Sequence, residues 1–231
     1  TSDPFHLSSG DTVDIRLVAE VRAIELAGLE VSGERRCEVR PESGRAVATV
    51  WEEARKALSA AALTDDTGLY RYGTIRFLRD LDDRGRRVLA EQRRASQGYQ
   101  AAPFESLPAE TLVAEGFFRP DPDGDLYFAP DAKVLLSDEF LDTHCLGLTP
   151  GRGEASGLLG VAFEPVPGRN LPEIRGVVWV DPGTGELRHV DYTYENLDPD
   201  LRSDAVGGQV VFQGLPNGTW IVREWRIRMP T

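Results

Sequence analysis

Two short segments of the sequence place a carboxylate two residues from an imidazole. Asp142 precedes His144, and His189 precedes Asp191, with one residue between the members of each pair. Alternate side chains of an extended strand share a face, so either pair could help to bind a metal ion such as Zn²⁺. The sequence lacks the His-Glu-x-x-His and Cys-x-x-Cys spacings of zinc proteins, and surface or capping hydrogen bonds explain the same residues. A metal-assisted hydrolase using Asp142, His144 and His189 remains an alternative, and no other feature indicates a cofactor.

Two acidic segments also have spacings that could support chemistry. Asp121, Asp123 and Asp125 match the start of a calcium loop, but Ala132 stands where the bidentate Glu belongs, and a turn explains the segment. Residues 137–142 are dense in carboxylates and could hold a general acid and base with different pKa values. We favour the interpretation that they form an amphipathic lid helix.

Composition narrows the classes of function. The chain has 231 residues, 41% of them hydrophobic, and a formal net charge of −12. A chain of this length can bury a sizeable core without metals or disulfides. The acidic balance repels phosphate backbones, so we expect no nucleic-acid partner. The longest uncharged run, 205–222, contains Gly, Gln, Asn and Pro residues and is not expected to span a membrane.

Hydrophobic periodicity predicts one long helix followed by many strands. Over 44–62 a single apolar stripe has the spacing of a helix: Val47, Val50, Trp51, Ala54, Leu58 and Ala61. From Leu69 onward, short strands alternate with turn sequences, which is typical of successive hairpins. Short helical segments are expected at 109–115 and 131–141. We therefore predict an α+β fold, mostly antiparallel β, with a single curved meander sheet whose apolar face is covered by the long helix.

Large apolar side chains at predicted strand and helix positions have two interpretations. They form either a solid core or, if the sheet curves enough, the lining of a ligand cavity. The residues expected to line such a cavity are Trp51, Leu58, Phe140, Trp179, Tyr192 and Trp225.

Two parts of the sequence resemble known families. Residues 5–33 (Phe-His-Leu-Ser-Ser-Gly-Asp-Thr-Val-Asp-Ile-Arg-Leu and onward) resemble the closing strands of a carboxypeptidase regulatory-like domain, a transthyretin-like sandwich of secreted bacterial proteins. Residues 44–231, with Val-Trp-Val-Asp-Pro and Leu-Pro-Asn-Gly-Thr-Trp-Ile-Val within 178–222, resemble the half-barrel of LolA/LolB-like lipoprotein carriers. The resemblance implies a domain remnant at 1–33, a linker at 34–43 and a half-barrel at 44–231. In such a half-barrel, the sheet wraps a helix and lid around acyl chains.

The resemblance also implies an extracytoplasmic protein, and this bears on the two cysteines. In an exported protein, Cys37 and Cys145 are expected to form a disulfide, the alternative being two buried thiols. The leading hypothesis is a non-enzymatic, periplasmic or secreted binding domain that holds a lipid or another apolar molecule. The alternatives are an envelope protein-interaction module with a solid core and the metal-assisted hydrolase.

Overall fold

The computed structural model describes Cys37 and residues 41–67, 71–82, 87–99, 104–122, 124–201 and 206–230. All of these residues belong to one unit, Arg35–Thr231. The strands predicted in 5–32, the transthyretin-like segment, most of the linker and Asp123 lie outside them. In chain order the helices and strands are α1 (Pro41–Thr67), β1 (Arg71–Leu81), β2 (Val88–Tyr99), α2 (Ala109–Glu115), β3 (Phe118–Arg119), β4 (Leu126–Tyr127), α3 (Ala132–Leu136), α4 (Asp138–Thr143), β5 (His144–Pro150), β6 (Leu159–Pro165), β7 (Glu173–Val180), β8 (Leu187–Glu195), β9 (Gly207–Gly214) and β10 (Trp220–Arg228).

Strands β5 to β10 form an open antiparallel sheet in which strands adjacent in sequence are paired. The predicted antiparallel meander is confirmed for this part of the chain: Val161 lies opposite Val178, and Val178 lies opposite Val190. Antiparallel strands need only short turns between them, whereas parallel strands would require crossover segments. In the β9–β10 turn Gly218 has a φ of +85°, which glycine adopts without strain.

Helix α1 lies against one face of this sheet, which we call the inner face. Its buried apolar side chains recur about every three or four residues, and they are Val47, Trp51, Ala54, Ala57, Leu58 and Ala61. The helix contacts β5, β6, β7, β8 and β10, and it also packs against α3. The long helix predicted at 44–62 is confirmed, and it extends further at both ends. None of the helices in the described ranges is both long and apolar enough to cross a membrane.

Short helices occupy the chain between β2 and β5. Helix α2 is confirmed at the predicted position, and the segment predicted at 131–141 is divided by Ser137 into α3 and α4. Asp131 Oδ1 accepts a hydrogen bond from Val134 N at 2.8 Å, and Ser137 Oγ accepts one from Phe140 N at 3.1 Å. Helices α3 and α4 therefore each begin at a side chain that caps them, whereas α2 begins after Pro108 without a side-chain cap.

Strands β1 and β2 form a separate two-stranded hairpin, and β3 pairs only with β4 in the described chain. The prediction of one single sheet is therefore wrong. The strands themselves were expected, because their alternation and turn residues are local signals. Which strand pairs with which depends on tertiary packing, and alternation alone does not carry that information.

Candidate functional site

Three ionisable side chains meet where β5 and β7 begin. His144 and Glu173 have side chains that are each only 1% exposed, and His144 Nε2 lies 3.6 Å from Glu173 Oε2. Arg169, in the segment before β7, donates from Nε to Glu173 Oε1. Its Nη2 donates to the carbonyl oxygen of Val113 in α2 at 2.6 Å. The cluster thus connects an insertion helix to two strands of the main sheet.

The histidine of this cluster lies between two backbone carbonyl groups. Nδ1 is 3.0 Å from the oxygen of Phe140, and Nε2 is 3.1 Å from the oxygen of Ile174. Burial lowers the pKa of His144 to about 4, against the opposing effect of these carbonyl groups. Burial raises the pKa of Glu173, and its hydrogen bond from Arg169 opposes that shift. The imidazole is therefore neutral at pH 7.

This cluster has the properties of a structural network. Its side chains are nearly inaccessible to solvent, and Phe140 stacks on the His144 ring with centroids 4.0 Å apart. Neither the imidazole nor the carboxylate presents more than about a hundredth of its surface to a molecule in solution. The hydrogen bonds of His144 and Arg169 join α2, α4 and β7, and Glu173 Oε1 accepts from Arg169, but the buried Oε2 of Glu173 has no hydrogen-bond partner among the described residues.

The second predicted pair lies on the opposite, outer face of the sheet. His189 Nε2 is 3.2 Å from Asp191 Oδ2, and the same carboxylate accepts hydrogen bonds from Trp179 Nε1 at 3.0 Å and Gln209 Nε2 at 2.7 Å. Burial raises the pKa of Asp191, but these three donors outweigh it and the pKa is lowered. The carboxylate is thus an acceptor held by side chains of three adjacent strands.

The candidate metal ligands do not come together. His144 shares the inner face with Phe163, whereas His189 is directly opposite Trp179 on the outer face. Within the described ranges, no three His, Cys, Asp or Glu side chains are grouped closely enough to hold a metal ion. The sheet therefore lies between His144 and His189, and Asp142 belongs to helix α4 rather than to a strand.

Five of the six predicted ligand-binding residues face the inner core. Trp51, Leu58, Phe140 and Tyr192 are buried in it, and Trp225 packs against it beside Phe104, with ring centroids 5.5 Å apart. Trp179 is buried on the outer face and does not belong to this core. The five core residues extend from α4 beside β5 to the last strand, β10. Since six strands span about 24 Å, these residues would line a long space rather than a small pocket.

Two tyrosine hydroxyl groups in the core have no hydrogen-bond partner among the described residues. They are the Oη atoms of Tyr127 and Tyr192, whereas Tyr194 Oη donates to the carbonyl of Phe128 at 2.9 Å. The three rings adjoin, with centroids 5.3 Å apart for Tyr127 and Tyr194 and 5.7 Å apart for Tyr192 and Tyr194. An unsatisfied buried hydroxyl costs about 1–3 kcal/mol, so each one calls for a water molecule or a ligand atom.

The most exposed apolar surface of the described chain lies on the β1–β2 hairpin. We define this hairpin surface by Ile75, Phe77, Leu78, Val88, Leu89 and Tyr99, all of them exposed. Leu78 is 58% exposed and Tyr99 is 77% exposed. Arginine side chains accompany them: the guanidinium of Arg79 lies 4.8 Å from the Phe77 ring. Aromatic residues and arginine are enriched in protein interfaces.

Sequence reasoning missed the Arg169–Glu173 interaction and the exposure of the hairpin. Glu173 is an ordinary strand residue by type, and it interacts with His144 across 29 positions of sequence, so no local pattern identifies the contact. The sequence of the hairpin does contain a pattern from which its exposure could have been predicted. Ile75 and Phe77 lie on one face and Leu78 on the other, so a single covering layer could not bury all three.

Comparisons with family models, with curated proteins and with solved structures each give no match to this chain.

Proposed function

We propose that this domain is a non-enzymatic, extracytoplasmic protein-interaction module with a solid core, and that it acts through the hairpin surface. The observation that carries the proposal is the exposure of large apolar side chains on a hairpin that pairs with no other strand among the described residues. Isolated two-stranded hairpins are marginally stable in water, and large apolar patches mark contact sites. The disulfide between Cys37 and Cys145 is compatible with an extracytoplasmic location.

The close packing of the core supports a function carried out by the hairpin surface rather than by an internal cavity. Leu58 on α1 and Ile174, Val190 and Val210 on the sheet have no accessible surface. Such side chains touch neither solvent nor a space large enough for a water molecule. The part of the core between α1 and these strands is therefore filled by protein atoms.

Site-specific photo-cross-linking tests the proposal. A photoreactive phenylalanine analogue replaces Phe77 on the hairpin or, as a matched control, Leu63 on α1, which is 65% exposed. In cells that produce the protein, we expect a covalent adduct of defined mass from position 77 and none from position 63. The adduct should disappear when Leu78→Asp is added. No adduct at position 77, or equal labelling at both positions, would refute the proposal.

A second candidate function is the binding of an acyl chain or another apolar molecule, as the likeness to LolA/LolB carriers implies. The unpartnered hydroxyl groups of Tyr127 and Tyr192 favour it, because a polar head group in the core would give them partners. The contacts of α1 with both edge strands, β5 and β10, are compatible with a half-barrel around the helix. Mass spectrometry of an organic extract should then detect a stoichiometric lipid that Tyr192→Phe reduces. An extract without lipid would contradict this function.

A further inference from the structure

Strand β1 has one edge that pairs with no other strand of the described chain. Its other edge pairs with β2 over its full length, from Arg71 opposite Tyr99 to Leu81 opposite Val88. Among the described residues no further strand lies beside β1, so the backbone N–H and C=O groups of its outer edge are available to another strand. Natural proteins usually protect such an edge or use it for strand addition.

The sequence of this edge is complementary to itself when it is read in the opposite direction. With Leu78 opposite Leu78 of a second antiparallel copy, the segment 75–81 pairs each charge with an opposite charge or an aromatic ring. Arg76 lies opposite Asp80 of the second copy, Phe77 lies opposite its Arg79, and Ile75 lies opposite its Leu81. Twofold symmetry repeats each of these contacts.

Two of the charged side chains in this register, Arg76 and Asp80, lack partners within the described chain. Arg76 is directly opposite Arg94 on β2, and like charges in that position destabilise a hairpin. Among the described residues, the side chains of Arg76 and Asp80 have no hydrogen bond or ion pair, whereas the Arg79 side chain is bonded to Glu91 at 2.7 Å. An Asp80 from a second copy would give Arg76 the carboxylate that its own hairpin does not provide.

We propose that β1 pairs with β1 of a second copy of this chain, centred on Leu78, to form a four-stranded antiparallel sheet. The inference rests on the proposed function, since it assigns the partner of the hairpin surface. Three or more paired strands with an apolar face are stable where a lone hairpin is marginal. Of the two edge strands of the main sheet, β5 and β10, strand β10 is less suited to such pairing, because it has a bulge between Val222 and Glu224 and carries Arg226 and Arg228.

Sedimentation of charge-reversed variants tests this pairing. The protein is measured from about 5 to 500 µM, because an interface of seven residues per strand is smaller than a standard one and dimerises weakly. Arg76→Asp or Asp80→Arg each creates two like-charge pairs in a homodimer, and either should weaken dimerisation about tenfold or more. An equimolar mixture of the two variants restores both opposite-charge pairs and should form a heterodimer. Arg228→Asp on β10 is the matched control and should not change the dimerisation constant.

Hydrogen exchange gives an independent readout. Amides on the outer edge of β1 should become protected at the higher concentration in the wild-type protein, and in the mixture but not in either single variant. A wild-type chain that stays monomeric, a mixture that does not associate, or loss of the dimer in Arg228→Asp would overturn the inference. If Phe77 then cross-links a different protein, the proposed function stands and only the self-pairing fails. If it cross-links nothing, both fail.

Discussion

Removal of the disulfide should destabilise the domain strongly. Cys37 and Cys145 are 108 residues apart in sequence, with Cα atoms 5.6 Å apart, so the bond connects the segment before α1 to the edge strand β5. The closed loop contains α1, the hairpin and all the short helices. In the chain-entropy treatment, opening a loop of this length costs about 5 kcal/mol at 25 °C. That is a large part of the roughly 5–15 kcal/mol of a typical domain.

Urea unfolding of the double variant Cys37→Ser, Cys145→Ser measures this effect. With a denaturant dependence of about 2 kcal/mol per molar, the midpoint should fall by about 2.5 M. Wild-type protein unfolded with a reductant present should show the same midpoint as the double variant, which separates loss of the bond from loss of the thiol groups. A midpoint within about 0.3 M of the oxidised wild type would refute the reasoning, because the constraint on the unfolded chain would then be negligible.

The other predictions concern the buried network and the close contact between strands. Arg169→Met leaves the Glu173 carboxylate buried without its cation and should lower the free energy of unfolding by about 3–5 kcal/mol; adding Glu173→Gln should restore part of this. Because the pKa of His144 is lowered to about 4, stability should fall by about 3 kcal/mol as pH drops from 6.5 to 4, while the raised pKa of Glu173 has the opposite sign. The Glu173→Gln variant should therefore lose stability more steeply on acidification than wild type. Urea titrations at several pH values measure this, and an equal dependence of the free energy of unfolding on pH in the two proteins would contradict it. In Gly176→Ala the new methyl group would overlap a backbone carbonyl of β8, which should cost about 1–3 kcal/mol in thermal unfolding, whereas Gly147→Ala has open space and should be nearly neutral.

Part of the candidate site could be predicted because it follows from residue type and spacing. The apolar stripe of Trp51 and Leu58 predicted a helix that covers a core, and both side chains are buried there. Tyr192 and Trp179 are both large aromatic residues on adjacent strands and were expected to share one lining. They lie on opposite faces, because β7 and β8 pair in the register that puts Gly176 opposite Tyr192 and His189 opposite Trp179. A shift of one residue would exchange those faces, and register is set by pairing and turns.

The sequence by itself determined most of the strands, their short antiparallel connections, the long amphipathic helix and the availability of two cysteines for one bond. These follow from periodicity, turn chemistry and residue counts, all of which act over a few neighbouring positions. Only the tertiary structure decided that β1 and β2 stand apart from the main sheet, and that His144 lies buried beside Glu173 while His189 faces the other way. Strand partners and buried charges depend on contacts between residues that are distant along the chain, where the free energy of packing rather than local preference selects the arrangement.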